Sequence, residues 1–129
     1  MNAALDANDT TRMEIQAAVA NFMQTFNGQD VDAIVDLYTD DCQVIAPGRA
    51  PVVGKEALRA FWRRTIEEVG MKDIDYEILG IEPMGPDHAG ELTRFTGTLG
   101  GRRVSGGYLV NWRREGGRWR LHQDVFNAA

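Results

Sequence analysis

The chain has 129 residues, 43% of them hydrophobic, which fits one domain built around a single core. Its formal net charge of −5 gives no overall positive field, so composition argues against binding nucleic acid or a membrane surface. Cys42 is the only cysteine, which excludes an internal disulfide. The N-terminal residues also lack the pattern of a signal peptide, and the two observations together predict a cytoplasmic protein.

Three helices are predicted in the N-terminal half. Residues 1–8 have the composition of a flexible leader, and residues 9–129 are predicted to form a single domain. The capping-box spacing of Thr11 and Glu14 predicts that this domain begins with a helix. The apolar face of this helix is formed by Ile15, Val19, Phe22 and Phe26. A second, shorter helix carries Val31, Ile34, Leu37 and Tyr38. After a short strand over residues 42–46, a third helix runs from Gly54 to Gly70.

The C-terminal half alternates apolar and polar residues, which predicts four strands over residues 74–81, 88–99, 103–113 and 118–126. Two glycine pairs, Gly100-Gly101 and Gly116-Gly117, mark the hairpin turns. Helices followed by an antiparallel meander indicate an α+β fold with the helices on one face of the sheet. Because long strands that contain glycines can bend, the sheet can enclose a helix and leave a cavity at its open end.

Three segments carry a resemblance to a known superfamily: FNGQDVDAIVDLYTDDCQVIAPG, GKEALRAFWRR and YLVNWRREGGRWRLHQDVFN. Over about residues 12–127 the chain resembles the nuclear transport factor 2-like superfamily, which includes ketosteroid isomerases and SnoaL-like polyketide cyclases. The closing Trp119 and Asp124-Val-Phe-Asn127 are most similar to its SgcJ/EcaC-type subgroup. The resemblance implies a cystatin-like cone, with three N-terminal helices packed on the concave face of a strongly bent antiparallel sheet.

The same alignment argues against two known activities of the superfamily. Ketosteroid isomerases use a tyrosine, a base carboxylate and a protonated aspartate, and these positions correspond here to Phe22, Ala46 and Tyr108. Phenylalanine donates no hydrogen bond and alanine accepts no proton, so the chain is not a true ketosteroid isomerase. The epoxide hydrolases need Arg and Asp two residues apart, but Arg94 is followed at that spacing by Thr96.

Asp124 and His122 are the first candidates for catalysis. They are two residues apart on the last strand, which predicts that they share a face. Periodicity alone predicts that the opposite face of this strand, with Leu121 and Val125, is the buried one. The resemblance instead places His122, Asp124 and Phe126 on the concave side of the sheet. There Asp124 would be a general base whose pKa is raised by burial, with His122 as its partner. A solvated pair, or an aspartate that anchors a backbone amide, is the alternative.

Glu91 and Tyr108 complete the predicted site. Glu91 shares a face with Thr93, Phe95 and Gly97, and is either a second carboxylate of the cavity or an exposed residue at a strand start. Tyr108 either donates a hydrogen bond to a developing oxyanion or is simply part of the wall. The implied apolar lining, in which each residue fits an ordinary core equally well, is Phe22, Phe26, Tyr38, Trp62, Val110, Trp112 and Phe126.

Three functions remain open from the sequence. The first is an acid–base isomerase, cyclase or lyase that acts on an apolar carbonyl or polyketide-like compound; the others are a non-catalytic binder of a hydrophobic ligand and a dimerising scaffold. Only two histidines, His88 and His122, are present, so neither a metal site nor a cofactor is predicted. A homodimer through the convex sheet face is predicted from three apolar residues assigned to that face, Leu109, Leu121 and Val125.

Overall fold

A computed structural model describes residues 6–129. Helix α1 (Ala7–Asn27) begins at an N-cap formed by Asp6, whose carboxylate accepts a hydrogen bond from the amide of Asp9 at 2.7 Å. The helix therefore starts before the capping box predicted at Thr11. Most of the leader predicted over residues 1–8 lies outside the described residues. The buried face of α1 includes the four residues predicted from their spacing, Ile15, Val19, Phe22 and Phe26.

The second helix is shorter than predicted. Helix α2 (Val31–Asp36) ends before Tyr38, which opens strand β1 (Tyr38–Ile45). The assignment of Tyr38 to a helix is wrong because this residue pairs with Leu121 and is fully buried, so tertiary pairing overrides the helical spacing. Strand β2 (Val52–Val53) lies between the predicted strand over residues 42–46 and the third helix, where no strand is predicted.

The third helix has two parts. Helix α3 (Lys55–Arg63) continues as a π-helical segment over Arg64–Val69, and Gly70, with a φ of 85°, ends it as predicted. The buried side chains of α3, Leu58, Phe61 and Trp62, belong to the same core as the apolar face of α1. Within residues 6–129, no helix combines the length and the apolar character needed to cross a lipid bilayer.

The sheet has six strands in the order β2-β1-β6-β5-β4-β3. Its long strands are β3 (Lys72–Pro83), β4 (His88–Leu99), β5 (Arg102–Glu115) and β6 (Arg118–Phe126). Neighbouring strands are antiparallel except β1 and β6, which are parallel. The α+β class with helices against a curved sheet is confirmed. The parallel pair differs from the expected all-antiparallel sheet because the last strand returns beside the first.

The concave face of the sheet carries the residues of interest in two neighbouring rows. Glu91, Val110 and Asp124 are register partners across β4, β5 and β6. Two residues further along, Thr93, Tyr108 and Phe126 form the next row. Since side chains alternate along a strand, both rows point toward the helices. The fold thus brings residues from three strands to one apolar interior.

Candidate functional site

A small apolar cavity lies between the helices and the concave face of the sheet. Its volume is about 40 Å³. This is room for a few water molecules and far less than the roughly 300 Å³ of an ordinary ligand pocket. The lining consists of Phe22, Met23, Phe26, Trp62, Met71, Ile74, Phe95, Tyr108, Asp124 and Phe126. Asp124 is the one carboxylate in this lining.

Asp124 reaches the cavity from β6 and is 4% exposed. The hydroxyl of Tyr38 donates a hydrogen bond to its Oδ2 atom at 2.8 Å. The pKa of Asp124 is raised to about 7, chiefly by burial; the hydrogen bond from Tyr38 opposes the rise and the charge of Glu91 adds to it. Asp124 therefore exchanges a proton near neutral pH, as a general base must.

Glu91 is 1% exposed and lies behind the cavity wall rather than in its lining. The indole of Trp112 donates to its Oε1 atom at 2.8 Å, and the hydroxyl of Thr93 donates to its Oε2 atom. Burial raises the pKa of Glu91, and these hydrogen bonds partly offset the rise. Val110 separates Glu91 from Asp124 in the register, so the two carboxylates interact through their charges and share no hydrogen bond.

Two hydrogen-bond donors in the cavity wall lack an acceptor. Within residues 6–129, the hydroxyl of Tyr108 and the indole nitrogen of Trp62 are buried without a partner in hydrogen-bond geometry, although the Tyr108 hydroxyl lies close to the carboxylate of Glu91 and the Trp62 indole close to the hydroxyl of Tyr38. Such groups are rare in folded proteins because each one costs stability, so a pair beside one cavity indicates a place for a ligand oxygen or water. Burial and then the charge of Glu91 raise the pKa of Tyr108, which keeps its hydroxyl protonated. The sequence predicts Tyr108 as either a donor or part of the wall, and Trp62 only as apolar lining.

His122 lies away from Asp124. Gln123 pairs with Asn111 and Leu121 pairs with Trp112, so His122 is the extra residue of a β-bulge. The bulge breaks the two-residue alternation, and the prediction that His122 shares the face of Asp124 is wrong. The same bulge places Leu121, assigned to the convex face by its spacing, in the core with no exposed surface.

The imidazole of His122 instead joins a partly buried polar network with residues of β1 and β5. Its Nδ1 atom lies 2.8 Å from the hydroxyl of Thr39, and its Nε2 atom lies 2.8 Å from a guanidinium nitrogen of Arg113. Burial, and then the positive charge of Arg113, lower the pKa of His122. The neutral ring accepts from Arg113 through Nε2 and donates to Thr39 through Nδ1. The ring therefore ties β6 to both neighbouring strands.

The predicted lining separates into two groups. Phe22, Phe26, Trp62 and Phe126 line the cavity. Tyr38, Val110 and Trp112 do not, because each is engaged behind the wall: Tyr38 with Asp124, Trp112 with Glu91, and Val110 in the strand row between those two carboxylates. Tyr38 was missed as the partner of Asp124 because its helical spacing concealed its place on a strand.

A second pocket of about 230 Å³, here called the outer pocket, lies beyond Phe126 and Met71. Both side chains also line the inner cavity, so they form a wall shared by the two spaces. The ring of Phe126 is half-buried and lies at 14° to the ring of Trp62, with the centroids 6.0 Å apart. Within residues 6–129, no group of three or more His, Cys, Asp and Glu side chains is arranged to hold a metal ion.

Comparisons with known proteins agree with this architecture. The sequence matches the SnoaL-like domain over residues 19–122. The structure is similar to that of a ketosteroid isomerase-like protein from Erwinia carotovora atroseptica SCRI1043, with a TM-score of 0.81 and 26% identity over 90% of this chain and 94% of that one. It is also similar to a candidate scytalone dehydratase from Novosphingobium aromaticivorans DSM 12444, with a TM-score of 0.80 and 12% identity over 96% and 87% of the two chains.

Part of the sequence is also similar to a segment of a larger protein. It is 31% identical over 68 residues to the orange carotenoid-binding protein of Synechocystis, and the match covers 50% of this chain and 22% of that protein. The chain therefore spans about a fifth of the length of this curated relative. The structural similarities show the nuclear transport factor 2-like, cystatin-like fold expected from the three sequence segments.

Proposed function

This chain belongs to the SnoaL-like domain family, and on that premise we propose that it is a small-molecule pocket protein that catalyses proton transfer on an apolar carbonyl compound. The observation that carries the proposal is the composition of one cavity. A carboxylate with a pKa of about 7, Asp124, shares it with Tyr108 and Trp62, whose buried donors lack acceptors within residues 6–129. The reaction classes that fit are isomerisation, cyclisation and elimination.

The proposed mechanism gives each of these groups one role. The carboxylate of Asp124 removes a proton from the carbon next to the substrate carbonyl, and the C–H electron pair forms an enolate. The enolate oxygen accepts hydrogen bonds from the hydroxyl of Tyr108 and the indole of Trp62. In an unsaturated carbonyl compound the enolate is a dienolate, and return of the proton from Asp124 to its far carbon gives an isomer. Attack of the enolate on a second carbonyl closes a ring, and the new alkoxide takes the proton from Asp124. Departure of a β-hydroxyl as water, with the proton returned by Asp124, gives an alkene.

Two further residues support the base without contacting substrate. Tyr38 holds the carboxylate of Asp124 through a hydrogen bond of 2.8 Å. Glu91, fixed by Thr93 and Trp112, adds a buried charge that raises the pKa of Asp124. Both are positioning residues in this scheme. The similar structure described as a candidate scytalone dehydratase agrees with the elimination variant, since that name denotes loss of water.

Hydrogen–deuterium exchange tests the proposal without knowledge of the natural substrate. The α-protons of 1-indanone, an apolar ketone, are followed by NMR in D2O with and without the protein. We expect the catalysed rate to rise through pH 7 and to fall at least a hundredfold in Asp124→Asn. Asp75→Asn, at an exposed carboxylate on β3, is the matched control and should exchange as the wild type does. Unchanged exchange in Asp124→Asn would refute the proposal.

A non-catalytic binder is the second candidate function, because the cavity lining is almost entirely apolar and the Synechocystis relative is named as a carotenoid-binding protein. This alternative predicts that Asp124→Asn keeps full ligand affinity and that neither form catalyses exchange.

The small volume of the inner cavity equally favours a scaffold whose interior is filled by its own side chains. The scaffold predicts no saturable binding of any apolar ligand.

We also propose that a second copy of this chain covers the convex face of the sheet. Four apolar side chains that are register partners cross it in one row and are 42–49% exposed: Ile45, Val125, Leu109 and Leu92. No charge interrupts the row, so two chains that each carry −5 can approach there. Light scattering of the wild type should give twice the monomer mass, and Leu109→Asp should give the monomer. A monomeric wild type at micromolar concentration would refute the dimer.

A further inference from the structure

We propose that the ligands of this pocket are apolar monocarboxylates whose anionic group binds Arg49 in the outer pocket. The uncharged end of the ligand enters the inner cavity beside Asp124. This inference rests on the proposed function for the location of the reacting carbonyl, and it adds a second binding point and a substrate class. It follows from the place of Arg49, its lack of a salt bridge and the wall between the two spaces.

Among the described residues 6–129, Arg49 is the only charged side chain in the lining of the outer pocket, which is otherwise formed by Ala46, Pro47, Phe61, Thr65, Val69, Met71, Leu99, Val104, Phe126 and Ala128. An anion in this pocket therefore meets one cation and no opposing carboxylate from the lining. Arg49 is itself exposed, so water screens part of its charge, and the apolar walls reduce this screening only on the side that faces the pocket. The pocket thus has the composition expected for the charged end of an amphipathic ligand.

The guanidinium of Arg49 is held in place but not neutralised. It lies over the ring of Phe61, with its central carbon 5.0 Å from the ring centroid. Within residues 6–129, Arg49 forms no salt bridge, whereas Arg59, further along the same segment, is paired with Asp32 at 2.8 Å. Stacking on an aromatic face leaves the N–H edge of a guanidinium available, and that edge matches a carboxylate in two parallel hydrogen bonds.

The two spaces become one site if their shared wall moves. While the wall is closed, the inner cavity of about 40 Å³ is too small for an organic substrate, 1-indanone included, and an opened wall would add the 230 Å³ or so of the outer pocket. Their sum approaches the roughly 300 Å³ at which ligand pockets begin. Met71 is flexible in its side chain, and rotation of the half-buried Phe126 away from Trp62 would open the passage. A ligand that spans both spaces therefore displaces Phe126.

Charge fixes the direction of the bound ligand. Asp124 lines the inner cavity and Glu91 lies behind its wall, so a carboxylate placed there would be repelled and would lose its hydration. The same carboxylate at Arg49 gains an opposite charge. The ligand consequently binds with its anion outward and its neutral end at Asp124, which is the orientation that proton abstraction needs.

Calorimetric titration with two matched ligands tests the inference: 4-phenylbutanoate and its neutral analogue 4-phenylbutanamide. We expect the acid to bind the wild type about tenfold more tightly than the amide, which corresponds to about 1.4 kcal/mol. Arg49→Met should remove this preference and leave the Kd of the amide unchanged. Arg63→Met is the control for the loss of one positive charge, because Arg63 is exposed on α3, and it should keep the preference.

Three results would overturn the inference: equal affinity of the wild type for acid and amide, equal weakening of both by Arg49→Met, or no binding of either at millimolar concentration. The outcome is independent of catalysis. If Arg49 selects the acid but 1-indanone exchange is unaffected by Asp124→Asn, the proposed function fails and the carboxylate site stands. If exchange depends on Asp124 but Arg49 confers no preference, only the inference fails.

Discussion

Neutralising Asp124 should stabilise the protein above pH 7. The pKa of this carboxyl rises from its ordinary value of 3.8 to about 7 in the folded state. Each pKa unit corresponds to about 1.4 kcal/mol, so ionised Asp124 costs the folded state about 4 kcal/mol at alkaline pH. Asparagine removes the charge and still accepts the hydrogen bond from Tyr38. Its amide N–H groups lack a known acceptor in the apolar cavity, which offsets about 1–3 kcal/mol of the gain.

The net expectation for Asp124→Asn is a gain of about 1–3 kcal/mol in the free energy of unfolding at pH 8. The sign depends on pH because the folded state holds the proton more tightly than the unfolded state. Wild-type stability contributed by Asp124 is therefore highest below pH 4 and falls as the pH rises toward 7, whereas the variant lacks this loss. At pH 5 the difference between the two proteins should largely disappear.

Urea unfolding at pH 5 and pH 8, followed by tryptophan fluorescence, measures both quantities. Asp75→Asn removes an exposed carboxylate and should change the stability by less than about 0.5 kcal/mol at either pH. A loss of stability in Asp124→Asn at pH 8 would mean that the ionised carboxylate is a structural anchor. A gain that is equal at both pH values would contradict the raised pKa, and either result would refute the reasoning.

Three other substitutions test individual contacts. Tyr108→Phe should slow 1-indanone exchange by about a hundredfold while leaving the urea midpoint unchanged or higher, because its buried hydroxyl has no partner within residues 6–129. His122→Ala should leave exchange within about threefold of the wild type but lower the free energy of unfolding by about 1–2 kcal/mol, and a collapse of exchange would restore its predicted catalytic role. Gly106→Ala should lower the thermal midpoint strongly, since a Cβ there would lie 2.0 Å from the carbonyl oxygen of Asn127; Gly107→Ala, whose Cβ would make only an ordinary contact at 3.5 Å, is its control.

The sequence was informative wherever a regular spacing reflects burial. The helical face that contains Phe22 and Phe26 follows from a period of 3.6, and the common face of Glu91, Thr93 and Phe95 on β4 follows from a period of 2. The inward direction of that β4 face came from the resemblance. The concave position of Asp124 came from the resemblance, since alternation from the buried Leu121 would have turned it outward. In this strand the local pattern and the fold disagree at one point, the bulge at His122.

The parts of the site that were not predicted depend on contacts between distant elements. Tyr38 is a strand residue because it pairs with Leu121, and no local pattern contains that information. Whether the indole nitrogen of Trp62 has a hydrogen-bond acceptor within residues 6–129 depends on the positions of all the side chains around it, which no local pattern contains. The β-bulge likewise exists only between paired strands. Sequence reasoning therefore placed Asp124 in the cavity but could not identify the residues that contact it.

The parallel pairing of β1 with β6 has a consequence for how the protein folds. The hydrogen bond from Tyr38 to Asp124 joins residues 86 positions apart, and β6 lies between β1 and β5 in the sheet. Contacts of such long range form slowly, because a large loop must close before they contribute. During synthesis, β1 and β5 therefore remain unpaired along one edge until the final strand emerges. Asp124, the proposed base, reaches its place beside Tyr38 only when the last strand is inserted, so an incomplete chain leaves one edge of β1 and one edge of β5 unpaired and lacks the assembled candidate site.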